Sequence, residues 1–83
     1  MSKAKKEDLI FNKKVARRLK ELRVNSNPIQ SQFAKENLIN RQLLNRWENE
    51  NNERGISIHT IRRFCKMVDI SLKNFFDDKI FGE

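Results

Sequence analysis

One cysteine, one proline, two glycines and no tyrosine occur in 83 residues, and each scarcity removes a class of answer. A lone Cys65 excludes an internal disulfide and fits a reducing compartment. With only Gly55 and Gly82 there is no glycine-rich loop to cradle a nucleotide phosphate. No apolar run approaches the length that spans a bilayer, and Leu9-Ile10-Phe11 is too short for the core of a signal peptide. The single histidine, His59, has no Cys, His or carboxylate at metal-ligand spacing. Nor is there a nucleophile–base pair or a carboxylate dyad. An enzyme, a metal and a cofactor are therefore not expected.

What the chain does have is positive charge: net +7, with a pI of about 10. A compact basic domain favours an acidic partner, nucleic acid or an anionic membrane surface. The apolar pattern is helical throughout, with no strand alternation and no repeat. Residues 1–6 lack apolar periodicity and are expected to form a mobile basic arm. From about Glu7, Phe11, Val15, Leu19 and Leu22 make one stripe, with Lys13, Lys14, Arg17, Arg18 and Lys20 around it. Asn25-Ser26-Asn27-Pro28 breaks this first helix. A second helix spans about 30–36 with Phe33 and Ala34 inward, and Asn37 suits its C-terminal left-handed position. Leu38 and Ile39 are expected to plug the turn, and Asn40 to cap a third helix reaching about Asn49. Residues 49–56 read as a loop. Ser57 opens a fourth helix with the stripe Ile58, Ile61, Phe64, Cys65 and Val68, and Ser71 a short fifth with Leu72, Phe75 and Phe76. The expectation is an all-α, five-helix domain over residues 7–76 with a tail at 77–83.

The third helix divides its faces sharply. At about 100° per residue, Arg41, Gln42, Asn45, Arg46 and Asn49 share one arc, opposite Leu43, Leu44, Trp47 and Glu48. One arc can dock on a core. The other holds the side chains best suited to base edges and phosphates. The start of the second helix, at Gln30, presents free amides to a phosphate, with Ser31 or Gln32 able to share it.

From Arg18 to Phe76 the ordered pieces resemble the helix-turn-helix domain of the phage Cro and lambda-repressor type, also called Xre-like. These pieces are Leu22-Arg23, Gln30-Ser31-Gln32-Phe33-Ala34, Arg46-Trp47-Glu48, Ser57-Ile58-His59-Thr60-Ile61 and Asp69-Ile70-Ser71-Leu72. Two places depart from the family pattern. Asn37 then Leu38 stand where an apolar residue and glycine are usual, and the loop after Glu48 is about two residues longer and carries Glu50 and Glu53, which phosphates would repel. The resemblance implies major-groove recognition of a double-stranded operator, with base contacts from Arg41, Gln42 and Arg46 and a buried Arg23–Glu48 ion pair. Together the DNA-contacting set is Gln30, Ser31, Asn40, Arg41, Gln42, Asn45 and Arg46. The implied task is transcriptional regulation in the cytoplasm, as a small repressor or a restriction–modification controller. An antitoxin whose main partner is a toxin remains the alternative, and neighbouring genes would separate the two.

The C-terminus is rich in apolar residues: Leu72, Phe75, Phe76, Ile80 and Phe81. A small core cannot easily bury them all, so they are expected to form a homodimer interface. Two copies would set two recognition helices about 34 Å apart on a near-palindromic site.

Overall fold

The computed structural model describes residues 5–82, and there the chain is all-helical. The helices are α1 (Lys6–Ser26), α2 (Gln30–Glu36), α3 (Arg41–Trp47), α4 (Ile58–Met67) and α5 (Leu72–Phe76), followed by a 3-10 turn at Lys79–Phe81. The expected arm at 1–6 lies largely outside the described residues. Of its described part, Lys6 already belongs to α1.

Local chemistry accounts for most helix ends. Glu7 and Asp8 sit in the first turn of α1, where negative charge complements the helix dipole. Asn27 is extended because the next residue is Pro28, whose ring disfavours helical backbone before it. Asn40, Ser57 and Ser71 each accept a hydrogen bond from a first-turn amide, of Gln42, Thr60 and Asn74 respectively.

The core lies where α1, α2, α3 and α4 converge on α5. Val15, Leu19, Phe33, Leu44, Trp47, Ile61, Phe64 and Phe75 fill it. Phe64 is central, its ring 6.0 Å from that of Phe33 and 6.4 Å from that of Phe75. Each large side chain buried this fully contributes about 1.5–3 kcal/mol. Two residues expected on core stripes stand outside: Phe11 is 49% exposed and Ile58 53% exposed. Both lie toward the N-terminal ends of their helices, away from the centre of the core, and Phe11 is covered on one side only, by Phe81.

The turn after α2 reverses the expected roles of Asn37 and Leu38. Asn37 keeps φ at −102° and donates its side-chain amide to the Phe33 carbonyl. Leu38 adopts the left-handed conformation, φ 56°, and is 92% exposed. The amide of Leu38 bonds the Lys35 carbonyl and that of Ile39 the Ala34 carbonyl, so the helix closes in a Schellman motif around Leu38. It is the half-buried Ile39 that packs against the core. The same motif ends α4, with Asp69 at φ 58° and the Ile70 amide on the Cys65 carbonyl. A left-handed leucine carries about 1–2 kcal/mol of steric cost, part of which glycine returns as backbone entropy. Leu38→Gly therefore stabilises the domain by about 1 kcal/mol, raising the melting temperature about 4–8 °C. An unchanged or lowered melting temperature in a thermal scan would contradict this.

The C-terminal segment folds back instead of standing free. Phe75 is fully buried, and Leu72, Phe76 and Phe81 pack against the core. The Phe81 ring touches those of Phe11, Phe75 and Phe76 at 6.1, 6.4 and 5.1 Å. Arg18 clamps this arrangement: Nε donates to the Phe75 carbonyl at 2.8 Å, Nη2 to the Asn74 carbonyl at 2.9 Å, and Nη1 to Asp78 at 3.2 Å. It thus supplies a donor to the Phe75 carbonyl at the end of α5 and a second one to the Asn74 carbonyl, which also accepts the Asp77 amide. Of the expected interface residues, burial removes Phe75. Phe75 is core, Leu72, Phe76, Ile80 and Phe81 are only partly exposed, and residues 77–82 form an ordered cover on α1.

Candidate nucleic-acid interface

The two arcs of α3 fall as its period dictates. Leu44 and Trp47 are buried, and Leu43 is half-buried against the core. Arg41, Gln42, Asn45, Arg46 and the following Asn49 are all exposed. Beside that polar face runs an open groove. Lys20 and Arg23 line it from α1, Gln30 from α2, Gln42, Asn45 and Arg46 from α3, and Glu48 and Asn49 from beyond α3. Every lining side chain is polar. This differs from the apolar, enclosed character of small-molecule sites.

The groove rests on a buried ion pair. Arg23 donates from Nε to Glu48 Oε2 at 2.7 Å and from Nη2 to Oε1 at 2.9 Å, a two-pronged contact. The side chains are 5% and 6% exposed. The remaining guanidinium nitrogen, Nη1, donates to the carbonyls of Asn27 and Pro28 at 3.2 and 3.1 Å. A single arginine therefore ties together the end of α1, the loop before α2 and the end of α3.

The network continues outward to the reading face. Gln30 Nε2 donates to Glu48 Oε1 at 3.2 Å and to Asn45 Oδ1 at 3.0 Å, while Gln30 Oε1 accepts from Arg41 Nε at 3.2 Å. Gln30 thereby braces Arg41 and Asn45 from below. Bracing lowers the side-chain entropy lost when these residues meet a ligand. Ser31 is exposed on the first turn of α2 and outside the groove. Asn40 spends its side-chain oxygen on the cap of α3.

Two features were not assigned to the site from sequence. Lys20 reaches the groove from α1, a position legible in its spacing of three from Arg23, which places both on one side of the helix. Glu50, expected to repel phosphates, is held by Arg17: Nη2 donates to Oε1 at 2.9 Å and Nε to Oε2 at 3.4 Å. That hydrogen bond, aided by the charges of Arg17, Lys13 and Lys20 and opposed by slight burial, keeps the Glu50 carboxyl below its ordinary range.

Cys65 is buried, and burial pushes its thiol up, away from the reactive thiolate. His59 is exposed on α4. Among the described residues no cluster of His, Cys, Asp or Glu could hold a metal, and no helix is long and apolar enough to cross a membrane. Compared with known proteins, the chain matches no family model, no curated protein and no solved structure.

Proposed function

We propose that this protein is a sequence-specific double-stranded DNA-binding regulator of transcription that inserts α3 into the major groove, a cytoplasmic repressor or controller of the Xre-like kind. One observation carries the reading: an exposed Arg–Gln–Asn face on a short helix, braced by Gln30 from a buried Arg23–Glu48 pair. The net charge of +7 supports it, since a polyanion is the natural partner of such a surface. Arg41 or Arg46 would pair with guanine O6 and N7, and Gln42 with adenine N6 and N7. Lys20 and the exposed amides at the start of α2 would meet backbone phosphate.

The working unit in this proposal is a homodimer on a near-palindromic operator. Its contact would use what the C-terminal cover leaves open: the partly exposed Ile80 and Phe81, with the half-exposed Ile10 and Phe11 beside them. Enrichment of duplexes from a random library tests both parts. The expected product is an inverted repeat with half-sites about 10 base pairs apart. Alanine at Arg41, Gln42 or Arg46 should each cost about 1–3 kcal/mol of discrimination at one base pair per half-site. Failure to enrich any sequence would remove the proposal, and a lone half-site would remove the dimer.

A further inference from the structure

Beyond the reading face, α1 carries a row of cations. Lys13, Arg17 and Lys20 are spaced four and three apart, so they share one side of the helix, and all three are exposed. At 1.5 Å rise per residue the row is about 10 Å long. That length matches about three nucleotides of one DNA strand, at 3.4 Å each. The row ends in the groove itself, where Lys20 stands with Gln42, Asn45 and Arg46. Among the described residues, neither the Lys13 nor the Lys20 side chain makes a salt bridge or a hydrogen bond.

The middle cation is different. Arg17 is bound by Glu50, yet the pair is open to water, its side chains 64% and 38% exposed. An exposed pair of this kind holds weakly and is screened by salt. The loop that carries Glu50 is itself well anchored. Asn12 donates to the Glu53 carbonyl at 3.2 Å, and Gly55 lies against Asn12 in the left-handed conformation, φ 68°. A Cβ at position 55 would stand 2.5 Å from the Asn12 side-chain oxygen, so a larger residue there would push the Asn12 amide aside besides straining the left-handed backbone. Glu50 is therefore carried close to a tethered stretch of loop, while Arg17 reaches it from the end of a long side chain.

We propose that Lys13, Arg17 and Lys20 form a second contact with the DNA backbone, flanking the base-reading groove, and that Glu50 restrains it by competing with phosphate for Arg17. The inference rests on the DNA-binding reading above. It assigns α1 a part in affinity and none in base choice, because phosphates carry no base identity. Glu50 lowers affinity for every duplex alike, and so weakens retention on non-operator DNA.

The test compares the wild-type chain, Lys13→Ala/Lys20→Ala and Glu50→Gln on the enriched duplex and on a random duplex of the same length. All the changed side chains are on the surface, and a thermal scan confirms folding. Lys20→Glu serves as a second variant of the row. The double variant should flatten the plot of log affinity against log salt by about two units, on both duplexes and with the preferred sequence unchanged. Lys20→Glu should weaken binding on both duplexes, and Glu50→Gln should tighten it on both. A slope unchanged in the double variant, or a changed sequence preference, overturns the second contact while leaving the DNA-binding reading intact. Unchanged or weaker binding by Glu50→Gln overturns the restraint. A wild-type chain that binds neither duplex overturns both readings.

Discussion

Arg23→Ala should be the most damaging single substitution among the polar residues, lowering stability by about 3–5 kcal/mol. The change leaves the Glu48 carboxylate 6% exposed and without its partner, and strips the Asn27 and Pro28 carbonyls of their donor. At about 0.05–0.15 kcal/mol per residue, a domain of 83 residues has about 4–12 kcal/mol in total. The melting temperature should drop by at least about 12 °C, at about 4 °C or more per kcal/mol. Glu48→Ala should be comparable, since it strands the guanidinium. Replacing both residues by apolar ones of similar volume should be far milder, because neither charge is then left buried alone. The double variant should nevertheless bind DNA less well: Gln30 loses its acceptor at Glu48, and with it the hold on Arg41 and Asn45. Either single variant melting within about 2 °C of wild type would show that the pair does not hold the fold.

The second large effect is ionic. A protein that neutralises about four phosphates has a slope near −3.6 in log affinity against log salt. Raising salt from about 50 to 200 mM should then weaken binding roughly 10²-fold. The cations available are Lys20, Arg41 and Arg46 around the groove, and Lys13 and Arg17 along α1. Fluorescence anisotropy on the enriched duplex, taken across that range, measures the slope. Affinity that hardly moves with salt would mean that phosphate contacts do not dominate, and with them would go the role assigned to this basic surface.

Much of this surface was legible in the one-dimensional chain. The face of α3 follows from a period of about 100° applied to Arg41, Gln42, Asn45 and Arg46, and tertiary packing had only to bury the opposite arc at Leu44 and Trp47. Asn40, Ser57 and Ser71 were readable as caps because a cap bonds to an amide two or three residues away.

Other features depended on contacts between residues far apart in the chain. Asn37 has the better intrinsic tolerance for left-handed backbone, yet Leu38 adopts it. The left-handed position falls one residue later than propensity suggests, because Asn37 closes the helix with a bond to Phe33 and Ile39 is drawn to the core. The apolar C-terminus read as an interface, since no local rule says that Phe81 will lie on Phe11, 70 positions earlier. Arg18 looked like one more surface cation, and only the approach of α5 turned it into a clamp. Glu50 looked repulsive to DNA until Arg17, 33 positions away, proved to hold it.

By itself, then, the sequence determined the helical class, the helix caps and the chemistry of the α3 face, because each depends on residues within about a turn of one another. Tertiary structure alone decided which leucine is strained, which phenylalanines are core, and which cations stand free beside the groove. Those outcomes turn on what covers a side chain, and the covering elements come from far along the chain.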